Sequence, residues 1–281
     1  MGKRRLWAIG YGQWAIGERL EAKGMKYRHN YIVQYQDIDD TRRLRLHTME
    51  NRLLIVAGKV ADEIGIGIPY LMQHNCTWII THLNLEMLYL PTHGEELIFE
   101  TWIEQNAHML SVRDFRIYIK EKEEEKLIGC CKTVWAVLER DKREIVNLFD
   151  LDVFKQAVDG EVLKMSRGQR MLPLVLSELE QDPEVIRAQE KSHTIQYADM
   201  DYNCHCNSTK YLEWMLNARR MQDNTKPFRL DINYVKELYL GDEMLTRYAE
   251  RAQSVQYQQI DKNGVTSCNA RITQIEDLSC K

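Results

Sequence analysis

The sequence predicts an α+β protein made of two copies of one unit, each an antiparallel sheet wrapped around a central helix. Three observations predict it. An internal repeat runs through the chain in a constant order. Each copy carries a helix whose apolar residues require burial. Each helix is followed by alternating or apolar β segments separated by turn signals.

The repeat is faded but ordered. Val33-Gln34-Tyr35-Gln36-Asp37-Ile38-Asp39 matches Ile195-Gln196-Tyr197-Ala198-Asp199-Met200-Asp201 at an offset of 162, with four identities in seven. Leu83-Asn84-Leu85 through Gly94-Glu95-Glu96-Leu97 matches Leu230-Asp231-Ile232 through Gly241-Asp242-Glu243-Met244 at offset 147. Cys131 to Glu139 matches Cys268 to Glu276 at offset 137. The shrinking offset places extra residues between the elements of the first copy.

The elements follow in order. A strand opens each copy. The first helix spans Leu46 to Ile64, because Leu46, Met49, Leu53, Val56, Val60 and Ile64 recur at helical spacing. Strands are expected at Trp78–Leu90, Glu96–Glu104, Ser111–Lys120 and Leu127–Glu139. Glu121–Lys126 reads as a charged hairpin tip. The second helix begins near Ser208, and Tyr211, Leu212, Trp214, Met215, Leu216 and Ala218 make it apolar nearly all round. Strands then follow at Arg229–Leu240, Met244–Ala252, Val255–Ile260 and Thr266–Ile275, with Lys262-Asn263-Gly264 as a hairpin turn. A sheet wrapped around one helix is the hotdog architecture, and two copies in one chain make a tandem (double) hotdog. The division is an N-terminal extension at 1–26, a first unit at 27–147, a connector at 148–190 and a second unit at 191–281. The connector, with Pro173, Pro183 and one apolar patch at Met171–Leu176, is expected to cross the surface. The extension lacks the apolar core of a signal peptide and reads as poorly ordered.

Composition narrows the function. The chain has 281 residues, 44% hydrophobic and 28% charged, with 5 prolines and 14 glycines, so low-complexity disorder is excluded. A formal net charge of −4 argues against generic nucleic-acid or anionic-membrane binding. The uncharged stretch Ile64–Leu85 contains Gln73, His74, Asn75, His82 and Asn84, so no membrane span is expected. The 7 cysteines are odd in number and include no Cys-x-x-Cys pair. That argues against a disulfide framework and a structural zinc site, and favours a reducing, cytoplasmic location.

The candidate chemistry lies in one copy. Asp201-Tyr202-Asn203-Cys204-His205-Cys206-Asn207 stands at the entrance to the second helix, where the first copy has Asp39-Asp40-Thr41-Arg42-Arg43. Asp201 therefore matches Asp39, while Asn203 and His205 face Thr41 and Arg43. Packing alone does not require that difference. Helix N-terminal N–H groups suit a developing oxyanion. Asn203 can hold a carbonyl or a water, His205 can move a proton near neutrality, and Asp201 can orient either. Glu237, inside an apolar strand and opposite Leu90 of the first copy, supplies a second base or a water-orienting group. An isolated Asn-x-His is more often a turn with a satisfied histidine; the asymmetry between copies shifts the balance. Cys204 and Cys206 alternate with His205 along an extended segment and point away from it, so neither a metal site nor a Cys–His nucleophile is expected. His74-Asn75-Cys76 reads as packing.

These stretches resemble the acyl-acyl-carrier-protein thioesterases of plant plastids and their bacterial relatives. Trp78-Ile79-Ile80-Thr81, Tyr89-Leu90-Pro91-Thr92-His93-Gly94, Thr101-Trp102-Ile103 and Val134-Trp135-Ala136 resemble the family's first unit. Asp199 to Asn207, with Lys210-Tyr211, resembles its active-site motif, and the likeness covers residues 27–281. The resemblance implies a double hotdog hydrolysing fatty acyl thioesters of acyl carrier protein, without a cofactor or metal. It puts the catalytic groups at Asp201, Asn203, His205 and Glu237. Plant members carry a cysteine directly after that glutamate; here the residue is Leu238, which implies hydrolysis by water. No plastid transit peptide is recognised, as expected of a bacterial member.

The resemblance also places chain-length control in the first unit, making Met49, Leu53, Val60, Met72 and Ile79 candidates for the acyl tunnel, although any one of them suits an ordinary core. Carrier protein is acidic, and Lys210, Arg219, Arg220, Lys226, Arg229 and Lys236 around the second helix are candidates for docking it. A homodimer is compatible with hotdog sheets. The rivals are an acyl-CoA thioesterase and a non-catalytic acyl or carrier-protein binding module.

Overall fold

The computed structural model describes residues 26–281 except 156, 157, 159, 167, 169, 170 and 222. Of the extension at 1–26 only Lys26 lies among the described residues. The chain divides into two units. One comprises the described residues up to 166 together with 276–281, and the other comprises the described residues of 168–275.

The first unit runs β1 (Tyr27–Ile32), α1 (Leu46–Glu63), α2 (Ile68–Gln73), β2 (Cys76–Met87), β3 (Glu96–Asn106), β4 (Ser111–Glu121), β5 (Glu124–Glu139) and β6 (Glu144–Ile145). Its strands lie in the order β1-β3-β4-β5-β2, all antiparallel, with β6 paired to β5. The second unit contains α3 (Leu176–Leu179), β7 (Arg187–Thr194), α4 (Ser208–Ala218), β8 (Phe228–Tyr234), β9 (Glu243–Arg251), β10 (Ser254–Asp261) and β11 (Thr266–Gln274). Its order is β7-β9-β10-β11-β8, again all antiparallel. The two orders are the same element for element, so the repeat is a repeat of topology.

Hydrophobic spacing places the helices. Leu46, Met49, Leu53, Val56 and Val60 of α1 are buried, and the helix lies against β3. Tyr211, Leu212, Trp214 and Met215 of α4 are buried, and that helix lies against β9 and β10. The expected α1 ends one residue early, and α2 was not expected at all. Gly94 and Gly241 hold φ of +84° and +81° at equivalent turns, each donating back to the start of its own copy, at Val33 O and Ile195 O respectively, both at 2.9 Å. A side chain at either position would be strained.

Three expectations are corrected. The connector does not simply cross the surface. Leu163 and Met165 are buried with Trp102 and Cys130, and Leu174 and Leu179 are buried with Ala249. Its backbone is held by side chains of the sheets. Trp102 Nε1 donates to Glu161 O at 2.9 Å and Leu163 N to Asp114 Oδ2 at 3.1 Å. In the second unit Leu174 N donates to Gln258 Oε1 at 2.9 Å and Gln256 Nε2 to Leu172 O at 2.7 Å. Second, β8 stops at Tyr234 instead of reaching Leu240, because the register of β10 and β11 shifts around Ser267. Ser267 O accepts from both Val235 N at 2.9 Å and Lys236 N at 3.0 Å, which turns the chain out of the ladder. Third, the cysteines are not all unpaired: Cys130 and Cys280 form a disulfide with Cα atoms 6.6 Å apart. Cys76, Cys131, Cys204, Cys206 and Cys268 are free.

Candidate active site

The loop before each helix is built the same way in both copies. Asp39 N donates to Arg43 O at 2.9 Å, and Asp201 N to His205 O at 2.7 Å. Ile38 bridges to Leu44, and Met200 to Cys206. Arg42 and Cys204, at equivalent positions, both adopt left-handed backbone with φ near +63° and +61°. A glutamine–aspartate box closes the preceding turn in each copy, Gln34 with Asp37 and Gln196 with Asp199. The scaffold is thus conserved between the copies while the side chains diverge.

In the second copy Asp201 Oδ1 accepts Asn203 N at 2.8 Å and His205 N at 3.1 Å. The carboxylate holds the backbone of both predicted catalytic residues and so orients them indirectly. His205 Nδ1 lies 3.6 Å from Glu237 Oε1, within ion-pair range but longer than a hydrogen bond. The ring of His205 meets Tyr239 edge-on, with centroids 5.1 Å apart. Asn203 Oδ1 is buried and has no hydrogen-bond partner among the described residues. A buried acceptor left open in this way is costly unless something fills it.

Glu237 reaches His205 because β8 ends early. Three ties fix the segment that carries it. Ser267 O takes Val235 N and Lys236 N. Tyr211 Oη of α4 donates to Lys236 O at 3.2 Å. Cys206 N donates to Leu238 O at 2.8 Å, joining the Glu237 segment directly to the His205 loop. The first copy has the same last tie, Leu44 N to Pro91 O at 2.7 Å, but it carries Leu90 where the second has Glu237. The parts that Ser267 and Tyr239 play, and the tie from Tyr211 to Lys236, were missed from the sequence. Their roles depend on a bulge, a helix-to-loop contact and a ring contact that residue spacing does not reveal.

The start of α4 differs from expectation. Asn207 caps it, its Oδ1 accepting Thr209 N at 3.1 Å. Arg45, at the equivalent place before α1, provides no side-chain cap. One of the amides expected to face an oxyanion is therefore already taken. Burial, reinforced by Asp199 and Asp201, pushes the Cys206 thiol far up, which makes it a poor nucleophile. Cys204 is exposed at the loop tip. Among the described residues no group of three or more His, Cys, Asp or Glu is arranged to hold a metal ion.

The other predicted residues are distributed unevenly. Met49, Leu53 and Val60 are buried on α1. Met72 is 55% exposed on α2 and does not line an interior. Ile79 alternates with Trp78, which packs in the cluster of Ala61, Ile66 and Phe154, so Ile79 points to the opposite sheet face. The basic residues around α4 are mostly engaged within their own unit. Arg219 makes a two-pronged contact with Glu250, with Nη2 at 2.6 Å and Nε at 2.8 Å. Lys236 pairs with Asp261 in a nearly buried ion pair. Lys210 lies 2.9 Å from Glu213, Arg229 2.9 Å from Asp231 and Lys226 3.4 Å from Asp223. Arg220 and Lys226 are the exposed members of the six.

Fold and site together define a tandem hotdog with a polar constellation of Asp201, Asn203, His205 and Glu237 in its second copy. The chain belongs to the acyl-ACP thioesterase family. The profile of the acyl-ACP thioesterase N-terminal domain matches residues 24–155, and that of the C-terminal domain matches 184–276. The oleoyl-acyl carrier protein thioesterase of Coriandrum sativum is 22% identical over 209 residues, covering 71% of this chain and 55% of that protein. The palmitoyl-acyl carrier protein thioesterase of Arabidopsis thaliana is 20% identical over 215 residues, covering 71% and 48%. The chain thus spans about half the length of the curated relatives it matches. Among solved structures, an acyl-ACP thioesterase from Bacteroides thetaiotaomicron aligns with TM-score 0.73 at 22% identity, covering 88% of this chain and 97% of the other. The 12:0-ACP thioesterase of Umbellularia californica aligns with TM-score 0.69 at 15% identity, covering 92% and 100%. At these identities the structural likeness supports the fold. No helix among the described residues is long and apolar enough to cross a membrane.

Proposed function

We propose that this protein hydrolyses the thioester of fatty acyl-acyl carrier protein, releasing free fatty acid by attack of water. The observation that carries the reading is the approach of His205 to Glu237, at 3.6 Å, in the same Asp201-held loop that carries Asn203, whose side-chain oxygen is buried without a partner among the described residues. Asn203 Oδ1 accepts one O–H of the attacking water. Glu237 holds the proton on His205 Nδ1 and leaves Nε2 to take the second. The Asn203 amide N–H faces the thioester carbonyl as it gains charge. The thiolate leaves without much acid assistance. Asp201 positions both residues through their backbone. Membership in the family and the names of the relatives support this substrate class.

The acyl chain lies in the first unit, against Met49, Leu53 and Val60. Carrier protein reaches the enzyme through the exposed Arg220 and Lys226, not through the whole basic set. We place the protein in the cytoplasm, where its five free thiols persist. The test is thiol release from medium- and long-chain acyl carrier proteins, with the matching acyl-CoAs in parallel. Turnover on carrier-bound substrates at least about tenfold above the CoA esters supports the reading (1.4 kcal/mol of discrimination). Equal or faster turnover on the CoA esters would make it an acyl-CoA thioesterase. Tight product binding without turnover would make it a binding module.

A further inference from the structure

We propose that Cys130 and Cys280 form a reversible redox latch that fastens segment 276–281 over the outer sheet face of the first unit. The inference does not depend on the reaction proposed above. Cys130 stands on β5, directly across from Arg116 of β4 and Glu86 of β2. Cys280 packs against the buried cluster of Trp102, Cys130, Leu163 and Met165. Beside the disulfide, the segment is held by a carboxylate of β2. Glu86 Oε2 accepts both Ser279 N and Ser279 Oγ, each at 2.8 Å. Leu278 is buried beside it. With the covalent bond broken, the segment keeps the Glu86 contacts and the burial of Leu278 but loses its covalent tie to β5, so its closure weakens when the disulfide is reduced.

The two sulfurs differ in access. Cys130 is fully buried, whereas Cys280 is partly exposed. An external thiolate therefore attacks Cys280 Sγ. The electron pair of the S–S bond leaves on Cys130, and a proton from solvent completes the thiol. A second external thiolate attacks the resulting mixed disulfide. Cys280 leaves as a thiolate that takes up a proton, and one small-molecule disulfide is formed. Two small thiols are thus oxidised as one protein disulfide is reduced, and a small-molecule disulfide drives the reverse reaction.

The test begins with thiol titration of the unreduced, denatured protein. The latch predicts five reactive thiols, and seven would overturn it. Amide exchange over 276–281 is then measured with and without a dithiol reductant. Reduction is expected to speed exchange of this segment about tenfold or more. Cys280→Ser is expected to exchange at the fast rate under both conditions, and Cys204→Ser to respond like the wild type. Exchange in the wild type that is unaffected by reduction would also overturn the proposal.

Discussion

At the residue scale the catalytic assignment rests on what the two copies do not share. His205 and Arg43 occupy the same place in the same loop, as do Asn203 and Thr41. Asn203→Ala and His205→Ala are expected to fold and to lose on the order of 10²–10⁴ in kcat. Glu237→Gln should lower kcat more than it changes KM, because it removes the partner of His205 and not a substrate contact. Cys204→Ser should leave kcat within about twofold, since its side chain lies outside the constellation. The candidates Asn203, His205 and Glu237 stand out in the sequence because duplication provides an internal control: they stand against Thr41, Arg43 and Leu90 in the other copy, whereas Asp201 matches Asp39 and draws notice only through its neighbours. What holds them was not legible. Ser267 is an ordinary strand serine in the sequence, and only the bulge shows that its carbonyl turns Glu237 toward the histidine.

At the element scale the strands of the first unit carry two further predictions. Lys132 of β5 sits between two carboxylates, Glu104 of β3 and Asp114 of β4. Burial, reinforced by Glu104, raises the Asp114 carboxyl to about 8, so it holds a proton where an unfolded aspartate would not. Between the ordinary carboxylate range and about pH 8 the folded protein therefore binds the extra proton, and raising the pH through that window removes stability. Denaturant unfolding across this range should show the decline, and Asp114→Asn should flatten it. Gly129 of β5 pairs with Met87, and a Cβ there would lie 2.8 Å from Glu86 O, against backbone that cannot move aside cheaply. Gly129→Ala is expected to cost about 1–3 kcal/mol by thermal or denaturant unfolding. Alternation and turn signals located the strands, but α2 escaped because six residues containing a proline have no periodicity to read. β8 is shorter than its sequence pattern predicts for a related reason: Tyr234 to Leu240 continues the apolar pattern after the ladder has ended.

At the scale of the whole molecule the repeat supplied the architecture, since the order of strands is the same in both units. Charge was less informative, because a sequence shows cations without their partners. Arg219, Arg229 and Lys236 face Glu250, Asp231 and Asp261, so they are committed to their own unit. Arg220 and Lys226 are the exposed members of the set, so Arg220→Ala with Lys226→Ala is expected to raise KM for carrier-bound substrate a few-fold and to weaken its salt dependence, with kcat unchanged. The central claim is that one of two similar loops performs the chemistry. Its most direct test is single-turnover thioester hydrolysis by His205→Ala and Arg43→Ala, the equivalent substitutions in the two copies. The account predicts a loss on the order of 10²–10⁴ for His205→Ala and a change within a few-fold for Arg43→Ala. Equal losses in the two variants, or full activity in His205→Ala, would contradict it.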